Sequence, residues 1–114
     1  MSNMLKKVFD ENKASRITFT VEEDGKVVGT AFLYVLYNET HPEPYGLFGD
    51  LFVDEAYRGK GYARELVQAV VEEAKIQNCY KLVATSRESR PEVHAMYERY
   101  GMKKYGFEFR MNFE

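Results

Sequence analysis

The sequence predicts an α/β (α+β) fold: a mixed, mostly antiparallel sheet opened by one parallel strand pair, with helices flanking it. Three observations predict it. Two apolar runs, Ile17 to Val21 and Val27 to Tyr37, flank Asp24-Gly25, the strongest hairpin signal in the chain. A further run, Leu47 to Val53, leads through a glycine turn into a helical stripe and then into Tyr80 to Ser86. Strand, crossover helix and strand joined by short links should lie parallel. Finally, 114 residues without repeat or low-complexity segment suffice for one core and not two, so residues 1–114 are expected to be a single domain.

Each element has its own signal. Residues 2 to 12 carry Met4, Leu5, Val8 and Phe9 among Lys6, Lys7, Asp10 and Glu11, which predicts a short amphipathic helix. Ile17, Phe19 and Val21 alternate with Arg16, Thr18, Thr20 and Glu22, the pattern of a half-buried strand. Its partner, Val27 to Tyr37, is nearly continuous in apolar and aromatic residues, and Asn38 to Tyr45, with two prolines, is a loop. Gly46 and Gly49 suggest a bend or bulge in the strand Leu47 to Val53.

The central helix buries Ala63, Leu66, Val67, Val70, Val71 and Ala74, and Asn78 is a plausible stop. Ser89 and Glu92 form a capping-box pattern around Pro91, opening a second helix that buries Val93, Met96, Tyr97 and Tyr100 and ends at Gly101. From Tyr105 to Phe113, Phe107, Phe109, Met111 and Phe113 alternate with Glu108, Arg110 and Asn112, which predicts a closing strand with one wet face.

Composition excludes several function classes. Apolar residues make up 45% and aromatic residues 15%, which is the content of a folded domain. A net charge of −2 without a long basic block disfavours a nucleic-acid partner. The single cysteine, Cys79, excludes an internal disulfide and fits a reducing compartment. No run approaches membrane-spanning length and the first residues do not read as a leader, so a soluble, cytoplasmic protein without a membrane partner is expected. His41, His94 and Cys79 are too few and too scattered for zinc, and no metal site is expected.

The stretch with chemical content is Leu51-Phe52-Val53 followed by Arg58-Gly59-Lys60-Gly61-Tyr62-Ala63. A strand feeding a glycine turn that opens a helix points several backbone N–H groups at one spot, backed by the positive end of the helix dipole. Glycine at 59 and 61 lets a ligand approach the backbone and permits positive φ. The result is an anion cradle suited to a pyrophosphate. It lacks the Gly-Lys-Ser/Thr ending of a Walker loop and the third glycine of a dinucleotide fingerprint.

Arg58, Gly61 and Ala63 fill the Arg/Gln-x-x-Gly-x-Gly/Ala pattern, and Tyr97-Glu98-Arg99-Tyr100-Gly101-Met102 is close to Tyr-x-x-x-Gly-Phe. On these residues the chain resembles the GNAT superfamily of acetyl-CoA-dependent N-acyltransferases, from about residue 16 onward and with a shortened N-terminal helical segment. The resemblance implies a parallel pair splayed at the coenzyme site and acetyl-CoA as co-substrate. An acetyl group would pass to a primary amine, on a small molecule or a peptide, by direct attack. A catalytically degenerate acyl-CoA sensor or interaction module is the alternative.

The resemblance also implies residue roles. The main chain of Leu51, Phe52 and Val53 would hold pantetheine, with an oxyanion donor at Phe52 or Val53, while their side chains are expected in the core. The amides from Arg58 to Ala63 would bind the pyrophosphate. Tyr97 would protonate the departing thiolate, although its helical spacing alone reads as core packing. Asp50, at the acid-rich position just before the Leu-Phe-Val segment, is the first candidate base and Glu22, at the end of the first strand, a weaker second; members often carry glutamate where this chain has Gly49, and either acid alone reads as a surface acid. Arg90 contacts coenzyme A or caps a helix. A small sheet with one open side is consistent with a homodimer.

Overall fold

The computed structural model describes residues 4–86 and 90–113. Four strands, β1 (Ser15–Glu23), β2 (Lys26–Leu36), β3 (Tyr45–Val53) and β4 (Leu82–Ala84), form one sheet in the order β1-β2-β3-β4. The first two neighbour pairs are antiparallel and the third is parallel. Asp24 and Gly25 take φ of 54° and 77°, so both central residues of the hairpin turn are left-handed, the geometry that matches the strands' twist. That turn sets Glu23 directly opposite Lys26.

The β2–β3 ladder slips at one point: Thr30 faces Phe52 and Phe32 faces Gly49. Two steps on β2 therefore match three on β3, and the extra residue falls at Asp50–Leu51, with Asp50 at φ 40°. The bulge thus sits immediately after Gly49. Gly49 has a different task. A Cβ there would meet Tyr34 Cε2 at 2.6 Å, so the ring of Tyr34 fills the space a side chain would need. Gly49→Ala should therefore destabilise the fold by about 1–3 kcal/mol, measured as a lowered Tm. A Tm equal to that of the unaltered chain would show that the ring moves aside freely.

Helix α1 (Tyr62–Ile76) lays Leu66, Val67, Val70 and Ala74 over Ala31, Leu33, Val35, Phe48 and Val53, and this is the core. It ends as expected. Asn78 is left-handed at φ 59°, with Asn78 N–H bonded to Lys75 O and Cys79 N–H to Ala74 O. Helix α2 (Pro91–Arg99) places Pro91 in its first turn, buries Val93 and packs Met96, Tyr97 and Tyr100 against the same core. Gly101, at φ 89°, closes it, with Met102 N–H bonded back to Tyr97 O. Ser89 of the expected capping box lies outside the described residues.

Three expectations are corrected. From Met4 on, the N-terminal segment forms no helix, and Leu5 and Val8 are fully or nearly fully exposed. A lone short helix cannot repay its nucleation cost without a surface to cover. Tyr105 to Phe113 forms no strand, and Phe107, Phe109, Met111 and Phe113 stand exposed. An alternating pattern supplies faces, but a strand also needs an edge to bond with. The side chain of Phe52 is 52% exposed rather than in the core. The bulge turns Leu51 and Val53 toward α1 and leaves Phe52 on the other face.

Candidate active site

The sheet opens where β4 stops. Gly46, Leu47 and Phe48 pair with Leu82, Val83 and Ala84, whereas β3 continues to Val53 with no partner on that edge among the described residues. The bulge at Asp50 lies two residues past the last paired position. From there β3 runs through a short 3-10 turn, Glu55–Tyr57, into the glycine turn and α1.

Gly59 and Gly61 both adopt left-handed φ, 84° and 86°, and an added Cβ at either would meet nothing within 4 Å. The two glycines are thus required by backbone conformation and face open space. Gly61 is the N-cap of α1 and supplies no side-chain cap. The first intrahelical bond is Glu65 N–H to Gly61 O, so the amides of Tyr62, Ala63 and Arg64 precede the helix's own ladder. Tyr62, Ala63 and Arg64 all line an open groove of about 200 Å³ at the positive end of the helix dipole. Three cations, Arg58, Arg64 and Arg99, and one acid, Glu92, line it, and Ala95 and Met96 of α2 close the far wall.

Arg58 is partly committed elsewhere. Its N–H donates to Glu55 O at 3.3 Å and its Nε to Val53 O at 3.0 Å, so it ties the turn to the strand end. The open amides of the cradle begin after it.

Tyr97 reaches the opening from α2. Its ring lies 5.5 Å from that of Phe48, the last β3 residue paired to β4, and it is half-buried. Burial pushes its phenol above the ordinary value, while the charge of Arg90 pulls the other way. Arg90 is the N-cap residue of α2, beside Glu92 at 3.8 Å. Asp50 is exposed on the bulge, and Glu22 is exposed near the hairpin tip.

One contact set was not readable from the sequence. The hairpin tip grips the glycine turn: Lys60 Nζ lies 3.0 and 3.3 Å from the two carboxylate oxygens of Glu23, and the Tyr62 hydroxyl donates to Glu23 at 2.6 Å. Lys26 reaches Asp54 at 3.9 Å, and Lys26 and Lys60 both lie over the Tyr57 ring, at 5.7 and 5.2 Å. The Tyr62 bond first, and Lys60 second, hold Glu23 below the usual carboxylate range. Glu23 in turn raises both Lys60 and Tyr62. Of the groove's lining, Glu92, Ala95 or Met96, and Arg99 repeat at three- and four-residue spacing on α2, a signal that was present in the sequence.

The remaining candidates are structural. His41 stacks on Tyr80 at 3.7 Å, and its Nδ1 accepts from the Glu43 N–H at 3.3 Å. Burial pushes the Cys79 thiol up, as suits an inert side chain. Among the described residues no group of three His, Cys, Asp or Glu side chains could hold a metal ion, and no helix is long and apolar enough to cross a membrane.

A mixed α/β sheet whose parallel pair opens beside an amide-lined turn defines the class of fold. Residues 3–102 match the sequence model described as the acetyltransferase (GNAT) family, and the chain belongs to that family. It is 29% identical over 96 residues to the glucosamine 6-phosphate N-acetyltransferase of Trypanosoma brucei brucei, covering 82% of this chain and 63% of that relative. The chain thus spans less than two thirds of that relative's length. A solved structure from Agrobacterium tumefaciens str. C58, provisionally named an acetyltransferase, is 37% identical at a TM-score of 0.74, covering 84% of this chain and 69% of that one. The glucosamine-6-phosphate N-acetyltransferase of Arabidopsis thaliana has the same fold, with a TM-score of 0.79 at 22% identity over 87% of this chain and 67% of that one.

Proposed function

We propose that the protein is an N-acetyltransferase that moves an acetyl group from acetyl-CoA to a primary amine by direct attack. The observation that carries this reading is the cradle: two left-handed glycines at an uncapped helix N-terminus, facing a cationic groove next to the open β3 edge. Acetyl-CoA supplies the activated thioester. The open edge at Leu51 to Val53 suits the amide groups of pantetheine, which would add to it as a strand does. The amides from Gly59 to Ala63 suit the diphosphate.

The chain's own groups then balance the transfer. Asp50, or water beside it, takes the proton lost by the amine. A main-chain N–H at Phe52 or Val53 stabilises charge developing on the thioester oxygen. Tyr97 gives its proton to the departing thiolate, and the phenol is re-protonated from solvent. The acceptor is an amine, and the relative named for glucosamine 6-phosphate makes an amino-sugar phosphate the first compound to assay.

Glycine at position 49, where family members often carry glutamate, favours a second reading, an acyl-CoA sensor without turnover, because the chain has no acid at that position. Titration calorimetry with coenzyme A and with ATP tests the shared part: coenzyme A is expected to bind and ATP not. Absence of coenzyme A binding would remove both readings. Release of free thiol from acetyl-CoA with an amine panel supports the enzyme; tight binding without release across the panel leaves the sensor.

A further inference from the structure

Between Tyr57 and Arg64, every residue except Lys60 contributes to the wall of the groove. The side chain of Lys60 sits instead at the hairpin tip, where Glu23 takes its ammonium at 3.0 and 3.3 Å and the Tyr57 ring centre lies 5.2 Å from it. A cation in this turn that stays out of the groove's wall needs a reason. Glu23 supplies one. It comes from a β1 residue fixed by the Asp24-Gly25 turn, 37 positions away in sequence, and Tyr62, which does line the groove, donates to the same carboxylate at 2.6 Å.

We propose that Glu23 is a positioning residue of the cradle that holds Lys60 off the groove and yields it to the diphosphate when coenzyme A arrives. This rests on the reading of the groove as a coenzyme A site. Lysine is a point charge on a flexible stem, so its ammonium can change partner without moving the turn. Glu23 is not orphaned by the exchange, because Tyr62 remains bonded to it and its side chain is 28% exposed to water. The diphosphate carries more charge than one carboxylate, so the exchange runs toward the ligand.

The test compares two probes: coenzyme A, and pantetheine, which ends before the diphosphate. Glu23→Gln keeps an acceptor for Tyr62 and removes the charge that competes for Lys60. Its dissociation constant for coenzyme A should fall about 2–5-fold, in the range of one exposed ion pair, with pantetheine binding unmoved. In a Lys60→Met background the same change should give no gain, since the effect acts through Lys60. Lys60→Met alone should weaken coenzyme A binding about 2–5-fold and remains informative if the Gln variant fails to fold. A Glu23→Gln affinity equal to or weaker than wild type, an equal gain with pantetheine, a gain that survives Lys60→Met, or a Lys60→Met affinity matching wild type each overturn the proposal. A wild-type chain that fails to bind coenzyme A overturns the proposed function itself, whereas one that binds it normally while Glu23→Gln gives no gain overturns only the role of Glu23.

Discussion

Gly61→Asp should weaken coenzyme A binding by about 100-fold, close to 2.7 kcal/mol, while the domain still folds. Folding is preserved because a Cβ at Gly61 meets nothing within 4 Å, so the added side chain creates no overlap with the body. The backbone cost is that of a non-glycine residue at φ 86°, about 1 kcal/mol, and aspartate is among the residues that tolerate this region. The binding cost has two parts. The side chain stands over the amides that the ligand needs, and its carboxylate repels a diphosphate at short range in a groove whose other charges are mostly cationic. Gly61→Asn carries the same bulk and the same backbone strain without the charge. It should lose only about 10-fold, so the difference between the two variants isolates electrostatics. Calorimetric titration of both with coenzyme A reads this directly. Wild-type affinity in Gly61→Asp would move the diphosphate away from this turn.

What the sequence disclosed about the cradle is what local chemistry can disclose. Asp24-Gly25, Gly59 and Gly61 need left-handed backbone, and the Leu66, Val67, Val70, Ala74 stripe needs only helical spacing, so each could be placed from neighbours a few residues away. Pro91 and Gly101 bracketed α2 for the same reason. Glu23 was invisible by the same logic: its partners Lys60 and Tyr62 are distant in the chain and meet it only once the hairpin folds over the turn. The bulge likewise depends on how β2 and β3 align. The glycines suggested a kink, but Gly49 makes room for Tyr34, and Asp50 next to it takes the positive φ. The two terminal segments mark the limit of periodicity. Met4 to Phe9 and Phe107 to Phe113 carry clear patterns, yet a pattern says which face seeks burial and not what will cover it, and both segments lie exposed.

Tyr97→Phe should lower kcat by about 100-fold or more and leave the KM for acetyl-CoA within about twofold of wild type, since phenol and phenyl pack alike and the hydroxyl's bond to the sulfur gains strength only as thiolate charge develops. The ring keeps its place against Phe48 at 5.5 Å, so Tm should hardly move, which separates lost proton transfer from lost packing. The pH profile carries the sharper test. Burial raises the Tyr97 phenol above the ordinary value of about 10, and Arg90 opposes that only in part. An upward shift in an acid preserves its protonated form, so the donor stays loaded throughout the neutral range and is lost only as pH climbs past 10. Wild-type kcat should therefore show a falling limb above pH 10 that the Phe variant lacks. Arg90→Gln removes the opposing charge, and the limb should move further up. Unchanged kcat in Tyr97→Phe, or a limb that persists in it, would take Tyr97 out of the mechanism and leave water as the donor to the thiolate. The same fold would then be using this helix for packing alone.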